Sequence, residues 1–259
     1  MTSLTSQQIT DFINSGYVKI ENAFPVEIAD ECRALLWKET GCDPDRPETW
    51  TEPVIRISEM KQEPFVKAAN TETLHQAFDQ LVGKDNWWPR PSLGTFPVRF
   101  PVNKPAGDTG WHVDSGFPGE HVNDFSTWRI NIHSKGRALL MLFLFSDVRD
   151  RDAPTLIRIG SHLDVAALLE PAGETGLSFT ELARQLNTLP NRESALATGK
   201  AGTVYLCHPF LVHAAQDHHG ITPKFMAQPP LHQKNDFDIY KAEAQLCPVE
   251  KAIVQALKK

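Results

Sequence analysis

The chain contains no long hydrophobic run, no basic excess and no paired cysteine motif, and each absence removes a class of function. Its longest apolar stretch, Ala138 to Phe145, is far shorter than the roughly twenty residues that span a bilayer. A net charge of −6 leaves no surplus of Lys and Arg for the basic face that nucleic acids and anionic membranes require. The expected partner is therefore a small-molecule substrate, with no nucleic acid and no membrane. Cys32, Cys42, Cys207 and Cys247 show no CxxC spacing, and Met1-Thr2-Ser3-Leu4 opens no leader pattern. These features predict a cytoplasmic protein with reduced thiols. Internal repeats and low-complexity segments are missing as well.

With 259 residues the chain can bury roughly three quarters of its unfolded surface around one core, so a single domain over 1–259 is expected. Helical signals come first. Thr5-Ser6-Gln7-Gln8 has the form of a capping box with Gly16 as the stop, Pro25 opens a second amphipathic helix that Gly41 ends, and Thr71 to Val82 reads as a third. Tyr17 to Ile20 alternates as a strand, and Asp43 to Pro53 is a loop. From Thr95 the period shifts toward two. Strands are expected at Thr95–Phe100, Trp128–His133, Ala138–Phe145, Leu156–Ile159, Thr203–Cys207 and Phe210–His213. Ser178-Phe179-Thr180-Glu181 starts an inserted helix, and Val249 to Leu257 forms a terminal one. The pattern predicts a mainly β fold with flanking helices, a barrel-like sandwich. Its helical N-terminal flank would run over about 1–90, its β core over about 94–230 and its helical tail over about 240–259.

Within the β region, Gly110-Trp111-His112-Val113-Asp114-Ser115-Gly116 carries a metal-site pattern. In an extended segment residues i and i+2 project from one side, so His112 and Asp114 can face one metal while Val113 turns into apolar packing. Two imidazoles and one carboxylate on one face of an octahedral Fe(II) leave three positions for a 2-oxo acid and O2, whereas a structural zinc site would close with a fourth protein ligand. A second such pair, His162 and Asp164, runs into Val165-Ala166-Ala167-Leu168-Leu169. That segment reads as a helix capped by Ser161 with Asp164 as its capping-box acid, and on a helix i and i+2 do not face each other. The third ligand must come from far along the chain. His213 lies in the extended run Phe210 to Ala214. His208, before Pro209, reads as a packed structural residue, and His218 and His219 beside Gly220 read as a polar turn.

Four blocks occur in the order and approximate spacing of the phytanoyl-CoA dioxygenase family, which the chain resembles from roughly Ile9 to Pro229. They are Trp111 to Asp114, Leu144 to Val148, Gly160-Ser161-His162 and Gly202 to His213. The resemblance implies a double-stranded β-helix (jelly-roll, cupin-like) and an Fe(II)- and 2-oxoglutarate-dependent dioxygenase that uses O2 to oxidise an unactivated C–H bond. It also implies His112, Asp114 and His213 as the iron ligands. An aspartate at position 114, rather than the small residue of halogenases, favours hydroxylation or a related oxidation.

Two departures from the family pattern stand out. Where relatives place an arginine that anchors the far carboxylate of 2-oxoglutarate, this chain has Lys224, a point charge without the guanidinium fork. Asp152-Ala153-Pro154-Thr155 replaces the usual Asn-Gly-Pro. Trp128 is a candidate wall of the 2-oxoglutarate pocket, with an ordinary core tryptophan as the competing role. Arg137 heads the most hydrophobic strand and Arg158 interrupts an apolar one, so each must reach solvent, a carboxylate or a ligand; both are further candidates to hold 2-oxoglutarate, with structural ion pairing the competing role for at least one. The segment from Ser115 to Thr127 has the length of an active-site lid or of a passive loop. Two other readings stay open at the sequence level: a zinc-type hydrolase on the same ligands, and a non-catalytic metal- or ligand-binding barrel in which Lys224 marks a degraded pocket.

Overall fold

A computed structural model describes residues 3–258; Met1 and Thr2, part of the segment read for a leader, lie outside the described residues, as does Lys259 at the end of the helical tail. The chain begins with α1 (Ser6–Ser15), β1 (Tyr17–Ile20), α2 (Val26–Thr40), β2 (Val54–Ile57), α3 (Glu63–Ala69) and α4 (Glu72–Val82). The middle holds β3 (Phe96–Arg99), β4 (Arg129–Ile130), β5 (Leu139–Leu144), β6 (Leu156–Arg158), α5 (Ser161–Leu169), β7 (Leu177–Ser178) and α6 (Phe179–Gln185). It ends with β8 (Ser194–Leu196), β9 (Val204–Cys207), β10 (His213–Ala214), β11 (Met226–Ala227), β12 (Pro230–Leu231) and α7 (Pro248–Leu257).

The helix signals act where the sequence puts them. Thr5 accepts from Gln8 N while the Gln8 side chain returns to Thr5 N, closing the capping box of α1. Gly16, at φ +87, ends that helix and turns the chain into β1; a Cβ there would meet the His162 ring. Ser178 and Glu181 form the same reciprocal cap on α6. α5 is a correction. Gly160, not Ser161, occupies its cap position, Ser161 Oγ donates to Arg158 O and accepts from Val212 N, and Asp164 pairs with Arg192 instead of closing a capping box.

The main sheet runs β1-β9-β5-β11, all antiparallel, with β12 also on β5. β5 is buried along its whole length because both of its faces are covered, Leu139, Met141 and Phe143 packing into one apolar cluster and Leu140, Leu142 and Leu144 into another, which is why it reads as an unbroken apolar run. β10-β6-β8 forms a second antiparallel sheet, and β2-β3 and β4-β7 are two-stranded pairs. One hydrophobic cluster draws buried side chains from Leu4 through to Ala256.

Three expectations change. Helix outweighs strand among the described residues, so the fold is less purely β than its alternation predicts. The N-terminal region is not only a helical flank: β1 pairs with β9 in register Tyr17↔Cys207, and β2 pairs with β3. The long strands expected beside the site are short. After β4 the chain turns at once, with Ser134 N bonded to Asn131 O and Lys135 N to Asn131 Oδ1, so Trp128–His133 keeps only two strand residues. Leu211 N bonds His208 O in a turn at Pro209, which shortens Phe210–His213 to β10.

Candidate metal centre

His112 is placed by an isolated antiparallel bridge to His213, with both backbone N–H···O bonds at 3.0 Å. Residues directly opposite in such a bridge project their side chains to one side, and the two rings lie 4.4 Å apart between centroids. Asp114, two residues on, turns the same way, and Val113 is buried in the apolar cluster as the alternation predicts. Nε2 of His112 and Nε2 of His213 lie 3.8 and 4.0 Å from Asp114 Oδ1. One ligand atom from each residue falls within 4.8 Å of the others.

The tautomers follow from the backbone. Nδ1 of His112 is 2.8 Å from Gly110 O and Nδ1 of His213 is 3.1 Å from Leu211 O, so each Nδ1–H donates and each Nε2 lone pair is left to face Asp114. Nε2 of His213 is buried without a hydrogen-bond partner. Burial, reinforced by the neighbouring His112 ring, pulls the His213 imidazole down to about 4, which keeps it neutral. Burial pushes the Asp114 carboxyl up, but Arg137 and the two imidazoles outweigh it and hold Asp114 below the usual carboxylate range. Two imidazoles and an ionised carboxylate converging on one point form the donor set that a divalent first-row metal takes.

Two cavities meet at this cluster. The first, of about 470 Å³, is lined by His112, His213, Arg99, Thr155, Trp111 and Phe179 among others. The second, of about 670 Å³, is bounded by Asp114, Arg137, Arg90, Glu59, His232 and Phe125, with Arg56 and Gln228 shared between the two. Phe125 belongs to the Ser115–Thr127 segment, so that segment does border the site. Its base is pinned, with Gly116 N and Phe117 N both bonded to Arg129 O. A Cβ at Gly116 would run into Lys135 O.

Lys224 is fully buried and bridges Arg99 in backbone register, with N–H···O bonds of 2.8 and 3.0 Å. Its Nζ donates to Ala153 O, and burial, with Arg99 adding to it, holds the ammonium well below its ordinary pKa. The residue that reaches the first cavity is Arg99. It is 2 % exposed, its Nη2 contacts both oxygens of Asp108 at 2.8 and 2.7 Å, and its Nε and Nη1 have no partner. The readings above do not include Arg99. The signal was present, since it interrupts Val98 and Phe100 as Arg158 interrupts its own apolar strand.

Trp128 lines neither cavity: its Nε1 donates to Val122 O at 2.8 Å and its ring packs 5.6 Å from Phe125. Arg158 lines neither cavity; its guanidinium sits 4.4 Å over the Trp111 ring. Arg137 is buried beside the cluster, with Nη1 3.4 Å from Asp114 Oδ2 and Nη2 donating to Ser115 O. Asp164 is committed to Arg192, and His162 Nε2 donates to Ile13 O, so that pair does not converge. His218 and His219 lie in the turn before Gly220. All four cysteines are free, and no helix among the described residues is long and apolar enough to cross a membrane.

No protein-family model matches the sequence, and no curated protein does. Solved structures match in shape. HygX from Streptomyces hygroscopicus, with nickel and 2-oxoglutarate bound, aligns with a TM-score of 0.55 at 15% identity, over 87% of this chain and 86% of that one. The non-heme alpha ketoglutarate dependent carbocyclase SnoK from nogalamycin biosynthesis gives 0.55 at 14%, over 89% and 84%. EctD from S. alaskensis with bound Fe gives 0.55 at 20%, over 89% and 76%. At these identities the likeness establishes the fold, and it is the fold implied by the resemblance of the four sequence blocks.

Proposed function

We propose that the chain is an Fe(II)- and 2-oxoglutarate-dependent dioxygenase on a double-stranded β-helix, forming one oxygenase domain over 1–259. It hydroxylates or otherwise oxidises an unactivated C–H bond of a small organic molecule, with release of succinate and CO2. The observation that carries this reading is the convergence of His112 Nε2, His213 Nε2 and an Asp114 oxygen, with both Nδ1 atoms tied to backbone carbonyls. Nickel with 2-oxoglutarate in HygX and Fe in EctD, on the same fold, add support. Four free thiols fit a reducing cytoplasm.

Bound Fe(II) with 2-oxoglutarate supplies O2-dependent oxidation of the substrate, the co-substrate losing CO2 to become succinate. The chain's own residues do the rest. The Gly110 and Leu211 carbonyls fix the ring orientation of His112 and His213 so that their Nε2 lone pairs hold the metal. Arg137, beside Asp114, keeps the third ligand ionised. In the first cavity the free Nε and Nη1 of Arg99 would donate to the distal carboxylate of 2-oxoglutarate, with Lys224 holding Arg99 in place through their backbone bridge. Trp111 and Phe179 supply apolar wall to that cavity.

The unmet Nε and Nη1 donors of Arg99 argue against a degraded co-substrate pocket, since buried donors without a partner cost free energy unless a ligand meets them. Aerobic incubation of the Fe(II)-loaded protein with 2-oxoglutarate should release succinate. No succinate with any candidate substrate, together with no 2-oxoglutarate binding, would remove the oxygenase reading in favour of the hydrolase or the binding barrel.

A further inference from the structure

The second cavity is lined by two buried arginines whose guanidinium donors are only partly met. Arg90 and Arg137 are each only 7 % exposed, yet both line it. Neither has the bidentate acid that Arg99 has in Asp108. Nε and Nη1 of Arg137 have no hydrogen-bond partner, and its contact with Asp114, at 3.4 Å, goes to a carboxylate already turned toward two imidazoles. Arg90 gives one hydrogen bond, Nε to Ser92 O at 3.3 Å, and its Nη2 stands 3.7 Å from a Glu59 oxygen that already accepts from Ser92 Oγ. Arg56 faces the same space but is committed to Asp108, so the two buried arginines are opposed there only by Glu59, which is half exposed, and by Asp114. Burial loosens the Arg90 proton, and Arg137 adds to the effect despite Glu59, as expected for like charges sharing a cavity. Two buried guanidinium groups with spare donors call for an anion.

We propose that this cavity takes the primary substrate and that the substrate carries a carboxylate or phosphate group held by Arg137 and Arg90. The inference rests on the oxygenase reading only in calling the occupant a substrate; the anion site itself rests on the two arginines. The cavity volume, about 670 Å³, suits a small organic molecule. Ile57, Phe125 and Pro230 supply apolar wall for its carbon frame, and Asp114 at the edge puts that frame beside the metal cluster.

The test uses Zn(II)-loaded protein saturated with 2-oxoglutarate, so that the first cavity is filled, and ligand-observed NMR with 3-phenylpropanoate, phenyl phosphate and the uncharged 3-phenylpropanamide. Either anion should bind about ten- to hundredfold more tightly than the amide, and the stronger of the two names the natural group. Arg90→Gln should bring the anions close to the amide, whereas Arg90→Lys should keep part of the preference. 2-Oxoglutarate binding to both variants reports that they fold. Equal binding of amide and anions, or displacement of the anions by 2-oxoglutarate, would overturn the proposal. Absence of 2-oxoglutarate binding with the anion preference intact would instead overturn the oxygenase reading and leave the anion site standing.

Discussion

Two histidine pairs among the described residues have their rings close together, and they differ in what their nitrogen atoms meet. His162 and His208 lie 4.8 Å apart between ring centroids, nearly as close as His112 and His213 at 4.4 Å. In the first pair three of the four nitrogens go to the backbone, His162 Nε2 to Ile13 O, His208 Nε2 to Val249 O and His208 Nδ1 accepting from Phe210 N, while His162 Nδ1 is buried without a partner and has no carboxylate to converge on. Its nearest acid, Asp164, is held by Arg192. In the second pair only Nδ1 is spent on backbone, and both Nε2 atoms converge on Asp114. Proximity of imidazoles is therefore no mark of a metal site. Converging lone pairs with a free carboxylate are, and the first pair is a tether of α1, α5 and α7.

Substitutions can break this contrast. The largest effect belongs to Asp114→Ala, which should lower 2-oxoglutarate turnover by more than about 100-fold, beyond the loss expected for an outer partner of a metal ligand. His162→Gln should leave turnover near that of the unaltered protein. Succinate release measured on both variants checks the pair, and undiminished turnover in Asp114→Ala would exclude that residue as a ligand.

Acid should act through the tethering pair. Burial depresses His162 to about 4, against an ordinary value of 6.5, so the neutral ring is the form the fold holds. Between those values the unfolded chain binds the extra proton. Stability is then complete above pH 6.5, falls as pH drops through the window and is lost near pH 4, by an amount on the order of 3 kcal/mol from this residue. Denaturant unfolding of His162→Gln across pH 4–7 should show a flatter slope; an unchanged slope would mean that the ring is charged in the fold.

Arg99→Gln should raise the apparent 2-oxoglutarate constant about ten- to hundredfold, the loss of a charge-assisted contact, with Fe(II) binding intact. Lys224→Met should weaken it less, because its Nζ is bound to Ala153 O. An Arg99 variant with normal 2-oxoglutarate affinity would move the anchor to Arg137. The smallest effect is that of His208→Gln, expected to lower stability by about 1–2 kcal/mol in urea unfolding through its backbone contacts, with metal content unchanged.

Local signals were the legible part of this fold. The Thr5 and Ser178 caps, the Gly16 stop, the uninterrupted apolar run of β5 and the i, i+2 pairing of His112 with Asp114 each depend on neighbours in sequence, so they can be read from it. Features that depend on distant partners could not be. β1 is an edge strand only because β9 lies beside it, and Asp164 leaves its expected cap for Arg192, 28 residues on. Arg99 acquires its place beside the first cavity from a bridge to Lys224, a pairing between residues far apart in the chain that no local pattern announces.

Anaerobic Fe(II) titration of the unaltered protein beside His213→Ala and His208→Gln tests the central contrast most directly. One tightly bound Fe(II) per chain in the unaltered protein and in His208→Gln, with none in His213→Ala, is the result predicted from the two histidine pairs. Stoichiometric iron in His213→Ala, or its loss in a folded His208→Gln, would contradict the assignment of His112, Asp114 and His213 as the metal centre.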